Sequence, residues 1–500
     1  MAKSQAAEAN STSQNTDGKP NLSLATSTVA SLEPGANGLN IKGLDGPDGS
    51  LILGNLKEFR SGEMHEVLSN WNKDYGPMFR LRLANQKAIV LSEPEIVRKI
   101  LRDRPEHFRR ISKMQPLFKE LSSNGLFVAE GEQWKRFRKL STPAFNPDHL
   151  RTFFPTLKEL TNRMKQRWHQ HAESQKVFDF KDEAMRYSVD VLTSLAFGQD
   201  LNTVEEEKAP IQQHMNVVLP TIEARLKIPV PYWRYFKLDK DKAVDESMKI
   251  LDETVVKFIE VGRQRIKENP NLIEEPSNLL EAMLVSTDDN GSKFTDEEIF
   301  HNIMNFWIAG ENTTSGTISW LAYHIANYPE VQQKLQEEAD RVLGEDPIIT
   351  DFKQINQLTY LDAVLQESMR LRPVVPQVSV EPLEDMVING YHVPAGTIVF
   401  LLLRESTKLD ENFESAREFN PDRFLKAASA CPHNSKVFLP FGTGSRTCPA
   451  LFLATTEIKV LFSMLLKNFT LAPTAQNEKV KEKLALTVMP DEVSLTLSER

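Results

Sequence analysis

Between Thr295 and Pro329 the chain is committed to one long helix. Thr295 with Glu298 makes a capping box and Phe294 with Ile299 a hydrophobic staple, after which apolar residues recur until Pro329 stops the pattern. Roughly 30 residues at 1.5 Å each span about 45 Å, enough to cross a whole domain, so the other elements have to be arranged around this rod. Its middle is poorly suited to a buried helix. Ala309, Gly310, Glu311, Asn312, Thr313, Thr314, Ser315, Gly316 and Thr317 put two glycines, each about 1 kcal/mol worse than alanine, and several hydroxyls at its centre. Ala309 and Thr313 share one face, a turn apart. Either a ligand approaches the backbone there, with a local distortion, or the helix carries a harmless kink.

The surrounding sequence is mainly helical with little strand. Met64 to Lys73 reads as an amphipathic helix, Met78 to Leu83 and Lys87 to Leu91 as a hairpin, and Pro94 opens a helix through Leu101. From Gln133 to about Leu284 helix follows helix, broken at prolines and at Gly198. Tyr232, Trp233, Tyr235 and Phe236 form an aromatic connection that suits local packing, a lid over an apolar pocket or a shallow membrane contact. Leu358 to Arg372 is a helix carrying Glu367 and Arg370 at i, i+3. Val387 to His392 turns at Asn389-Gly390, Thr397 to Leu402 is a strand, and Ala485 to Val488 and Val493 to Leu497 flank Pro490. Residues 1–45 lack hydrophobic periodicity and read as a disordered leader; 46–500 reads as one large domain of mainly α, α+β type, without repeats.

Composition narrows the chemistry. A net charge of −9 gives no signature of nucleic-acid binding. No apolar run approaches the roughly 18–20 residues that span a bilayer, so a soluble, cytoplasmic protein is expected. With Cys431 and Cys448 the only cysteines, a disulfide framework, structural zinc and an iron–sulfur cluster are disfavoured. Cys448 sits in Phe441-Gly-Thr-Gly444-Ser-Arg446-Thr-Cys448-Pro-Ala450, just before an apolar run from Leu451 to Leu466 with helical spacing. A helix N-terminus favours an anion and lowers a thiol's pKa, making a metal ligand; a buried structural cysteine is the alternative.

Taken together and in order, these features resemble the cytochrome P450 family over about residues 46–500. The likeness rests on Trp134-x-x-x-Arg138, Ala309-Gly310-x-x-Thr313, Glu367-x-x-Arg370, Phe419-x-Pro421-x-Arg423-Phe424 and Phe441-x-x-Gly444-x-Arg446-x-Cys448. It implies a haem b (iron protoporphyrin IX) bound through Cys448, whose thiolate favours O–O cleavage. Phe441, Gly444 and Ala309 would lie against the haem, and Trp134, Arg138 and Arg446 would meet its propionates. Thr313 would assist proton delivery and Gly310 leave room for oxygen. Glu367, Arg370 and Arg423 would be a buried ionic network with a structural task. Cys431 lacks the glycines and the arginine, which makes it the weaker ligand candidate.

Three positions depart from the family's pattern. Asn312 stands where relatives often carry an acid, and Glu311, one residue earlier, points about 100° away around the helix. Ala450 replaces the commonest glycine, and Ser379, Val380 and Glu381 supply no basic residue for a propionate. The resemblance implies a monomeric haem-thiolate monooxygenase that inserts one atom of O₂ into an apolar substrate, with electrons from a separate ferredoxin or flavoprotein reductase. Lys135, Arg136 and Lys139 are a candidate docking patch. A peroxygenase, isomerase or dehydratase acting on a peroxide, and a haem-binding sensor, remain open. Pocket-lining candidates run from Met114 to Phe127, around Trp233, and over Asn305 to Ala309, Val374 to Val378 and Thr487-Val488.

Overall fold

The expected rod is present. A computed structural model describes residues 32–145, 147–206, 210–288, 291–425 and 436–500, and its longest helix runs Asp296–Asn327. Thr295 accepts from the Glu298 N–H while the Glu298 carboxylate accepts from the Thr295 N–H, so the capping box closes. Five helices place the site: α1 (Gly131–Ser141), α2 (Phe180–Phe197), α3 (Asp296–Asn327), α4 (Thr359–Leu371) and α5 (Leu451–Asn468). Trp307 and Trp320 of α3 are wholly buried among their neighbours.

The centre of α3 is continuous helix, without the distortion expected from sequence. The hydroxyls explain this. Thr313, Ser315, Thr317 and Ser319 each donate to the carbonyl four residues back, at 2.6–2.8 Å, so each satisfies itself on the helix that carries it. Gly310 and Gly316 serve close packing: a Cβ at Gly310 would lie 2.9 Å from Leu192 of α2, and one at Gly316 3.0 Å from Val374.

A five-stranded sheet flanks the helices on one side, in the order β1-β2-β5-β4-β3, with β1 (Met78–Leu83), β2 (Gln86–Leu91), β3 (Phe108–Arg110), β4 (Gln377–Pro382) and β5 (Ile398–Leu402). The pair β2–β5 is parallel and joins segments far apart in the chain, with Val90 opposite Phe400. The hairpin Met386–Ile388 and Tyr391–Val393 turns at Asn389 and Gly390, both at positive φ, as an Asn-Gly turn requires.

Order begins earlier than Gly46. Leu32–Pro34 pairs antiparallel with Met386–Ile388, and Leu39–Asn40 pairs with Tyr391–His392, so part of the expected leader is strand; residues 1–31 lie outside the described residues. The final strands also differ in place. Glu482–Ala485 pairs with Thr487–Pro490, and Ser494–Glu499 pairs with Phe469–Pro473. Leu486, at φ 64°, makes the tight turn that separates the first pair.

Candidate active site

A cavity of about 720 Å³ lies between α3 and the loop ahead of α5, a size suited to an organic ligand. Cys448 forms part of its wall with Phe441, Gly442, Arg446 and Pro449. The loop is shaped by its glycines. Gly442 and Gly444 have φ of 74° and 76°, and a Cβ at Gly444 would lie 2.8 Å from the Arg102 Cα. Gly444 thus packs on the helix Pro94–Arg102, while Gly442 lines the cavity. The Cys448 N–H donates to the Phe441 carbonyl at 3.0 Å, which closes the loop on its own backbone.

Burial pushes the Cys448 thiol above its ordinary value, outweighing the Ala450 N–H and the Arg138 guanidinium, which pull it down. The helix α5 starts at Leu451. Cys448 therefore precedes its first turn, and the lowering expected from the helix end is overturned by desolvation. Cys431 lies outside the described residues.

The rim holds more positive charge than sequence suggested. Arg104, Arg110, Arg138 and Arg446 all line the cavity, and Glu130 answers them: its Oε2 accepts from Arg446 and its Oε1 from the Arg110 backbone N–H. Burial, then Glu130 in the opposite sense and the neighbouring guanidiniums of Arg104 and Arg138, leave Arg446 at about 10. The Nε and Nη2 of Arg104 and the Nε of Arg446 are buried without a hydrogen-bond partner. Arg446 stacks 4.3 Å above the Trp134 ring, and Arg138 of α1 is driven down by burial despite the attraction of Cys448. Unpartnered buried cations are costly, so this cluster is suited to a dianionic ligand. Arg104 and Arg110 were missed from sequence. The signal was available in the basic run Arg102, Arg104, Arg109, Arg110 of an acidic chain. His107 instead pairs with Glu384 at 2.8 Å, and Arg109 with the buried Glu381.

Across the cavity, α3 presents Ala309, Gly310, Thr313, Thr314 and Thr317. The Thr313 hydroxyl donates to the Ala309 carbonyl at 2.8 Å. Gly310 lines the cavity, and on its side toward α2 the space left by its absent side chain is taken by Leu192. Asn312 and Glu311 are buried away from the cavity lining. Neither Glu311 oxygen has a partner, and burial pushes this carboxyl up to about 8.

Glu367, Arg370 and Arg423 meet as expected. The Arg370 Nε and Nη2 donate to the two Glu367 oxygens at 2.7 and 2.8 Å, and the Arg423 Nε donates to Oε1 at 3.2 Å. The remaining donors go to the carbonyls of Thr407, Ala416, Glu418 and Glu414. The network is buried and satisfied on every side, as a buried ion pair must be.

A family model described as cytochrome P450 matches residues 44–497. The chain belongs to the cytochrome P450 family. Cytochrome P450 3A13 of Mus musculus is 28% identical over 87% of both chains, and cytochrome P450 4d2 of Drosophila melanogaster is 28% identical over 86% of this chain and 89% of its own. The bifunctional cytochrome P450/NADPH–P450 reductase 2 of Bacillus subtilis (strain 168) is 28% identical over 90% of this chain and 42% of its own. As a cytochrome P450 the chain is an oxidoreductase, a monooxygenase that works with haem, O₂, a source of electrons and an organic substrate. The residues present fit haem: a thiol in one wall, apolar sides, and guanidinium nitrogens lacking partners at the rim.

The lysine-rich face of α1 differs from expectation. Arg136 is tied to Asp288, Glu298 and the Lys293 carbonyl, so it fastens α1 to the start of α3 and is withdrawn from the expected docking patch. Lys135 is paired with Glu132. Among the described residues no helix of this P450 is long and apolar enough to cross a membrane.

Proposed function

We propose that this P450 holds haem b through Cys448 and inserts one oxygen atom from O₂ into an apolar organic substrate, with electrons delivered by a separate ferredoxin or flavoprotein reductase. The observation that supports it best is the shared cavity, with Cys448 on one wall, Thr313 on the other and four arginines at the rim. When bound, the haem supplies the oxidative chemistry and the protein supplies position, exclusion of water and control of protons. Arg446, Arg138, Arg104 and Arg110 take the haem carboxylates, and Trp134 holds Arg446 in place through the stacked contact. Ala309 and Phe441 shape the two faces of the slot. Thr313, with its hydroxyl on the cavity wall, orients a proton donor toward the reacting atom. Glu367, Arg370 and Arg423 fix the loop that carries Cys448.

Met114, Phe118, Phe127, Phe306, Val374 and Val378 line the remaining volume, so the substrate is an apolar small molecule. Trp233 and Val488 are not among the lining residues. Electrons come from outside these 500 residues, since the P450 domain occupies 44–497. Cys448→Ser is expected to abolish the thiolate-type absorption of the reduced, CO-bound protein; its persistence overturns the ligand. Turnover with reductase and NAD(P)H but not with peroxide alone is expected. The opposite result establishes a peroxide-consuming enzyme, and haem and gas binding without turnover under either supply a sensor.

A further inference from the structure

The helix Val218–Leu226 and the residue after it bring to the cavity an ion pair that none of these roles uses. Glu223 and Lys227 are one turn apart and both line the cavity, and the Lys227 Nζ lies 3.1 Å from the Glu223 Oε1. The Glu223 side chain is 8% exposed and that of Lys227 19%, so this is not a solvated surface pair. Its wall is otherwise apolar. Leu219 and Leu226 of the same helix line the cavity, as do Leu484 and Leu486 in and just after the strand Glu482–Ala485 that packs against it. A buried ion pair adds little stability of its own, because desolvating two charges offsets their attraction. Burial accordingly pushes the Glu223 carboxyl up, against the pull of Lys227.

The pair is also incomplete. Glu223 Oε1 touches the ammonium without a hydrogen bond and is enclosed with no other partner. The neighbouring acid, Glu63, is instead satisfied: it accepts from the Leu484 N–H at 2.9 Å and pairs with Lys483 at 3.7 Å. A carboxylate only accepts and an ammonium only donates, so a group that completes both must accept from Nζ and donate to Oε1. A ligand carboxylate suits Lys227 and is repelled by Glu223; a quaternary ammonium does the reverse. A hydroxyl serves both through one oxygen, which the 3.1 Å separation allows, and carries no charge into the cavity. We infer that Glu223 and Lys227 together bind a hydroxyl group of the substrate, which makes the substrate an alcohol with an apolar skeleton. The inference rests on the monooxygenase reading above and narrows its substrate class. Few polar groups in an apolar pocket fix a ligand's orientation, so this pair decides which end of the skeleton is held and which is left to react.

The test titrates the haem-loaded protein calorimetrically with 1-decanol, 1-methoxydecane, decanoate, decyltrimethylammonium and decanamide, so no turnover is needed. 1-Decanol is expected to bind about tenfold more tightly than 1-methoxydecane, which accepts but cannot donate, and more tightly than the other three. Glu223→Leu should abolish the preference for 1-decanol over the ether and strengthen decanoate binding. Lys227→Met should weaken decanoate and strengthen decyltrimethylammonium, and its place at the helix end keeps the inference testable if Glu223→Leu folds poorly. Such opposite responses to ligand charge do not follow from a pair that only fastens its own helix. Equal binding of 1-decanol and the ether by wild type, tightest binding of any other probe, or a preference retained in both variants overturns the inference. A wild type lacking the thiolate-type CO spectrum overturns the monooxygenase reading itself, whereas a normal spectrum with equal binding of alcohol and ether overturns this inference alone.

Discussion

Glu311 is fully buried and neither of its carboxyl oxygens has a partner. Its proton is held in the folded protein up to about pH 8, against an ordinary value of 4.5. Between those values the unfolded chain gives up the proton and the folded chain keeps it, so stability falls as pH rises, by up to about 1.4 kcal/mol per unit for each such group. Above pH 8 both states are ionised and the loss is complete. Glu311→Gln is therefore expected to melt higher than wild type by a margin that widens from about pH 5 to 8 and then stays level; thermal unfolding across that range checks it. From sequence, the one-residue shift between Glu311 and Asn312 already turned this acid off the Thr313 face. Its burial without a partner depends on how the rest of the fold closes around α3, which is not local in sequence.

Among elements, the segment Met114–Glu120 and the 3₁₀ turn Tyr232–Arg234 are fastened by one side chain. Glu120 accepts from the Trp233 indole N–H at 2.9 Å and from the Arg234 Nε at 2.6 Å, and Arg225 stacks over Trp233. The first segment lines the cavity through Met114 and Phe118, and Pro229 does so from the chain just ahead of the turn, so the clasp joins two of its walls. An exposed pair of this kind is worth about 1 kcal/mol, or roughly fivefold in a rate. Glu120→Gln should speed ligand entry and exit alike by about that factor, measured by stopped-flow mixing, with affinity little changed. The aromatic connection divides accordingly. Trp233 is buried packing, while Tyr235 and Phe236 are exposed. Removal of one member of the Glu367 network strands a buried charge at about 3–5 kcal/mol. Glu367→Ala should give misfolded or haem-free protein, and a stable, fully loaded variant would sink that assignment. This network was readable because Glu367-x-x-Arg370 is local and Arg423 belongs to a spaced pattern. The Glu120 clasp was not, since its partners lie more than a hundred residues away.

For the whole molecule, the capped α3, the Asn-Gly hairpin and the thiol loop were legible from short-range pattern. The arginine rim was not, because Arg104, Arg110, Arg138 and Arg446 are gathered only by the closed fold. The rim also sets how stability depends on the cofactor. Four guanidiniums facing one carboxylate repel one another until an anion arrives, so loading with haem should raise the melting temperature, by mass action on the folded state alone. Arg446→Gln should shrink that rise and leave a larger haem-free fraction after dialysis; an unchanged rise would show that the rim does not hold the cofactor.

Leu32 finds its strand partner at Ile388. At about 5–20 residues per second, the second strand leaves the ribosome roughly 20–70 s after the first. The cavity waits longer still, because its walls come from Trp134, Thr313 and Cys448, and the last of these emerges after both strands. A nascent chain stalled before residue 440 has no pocket to fill. Cofactor capture is thus timed by translation itself, as an event that follows the emergence of the thiol loop.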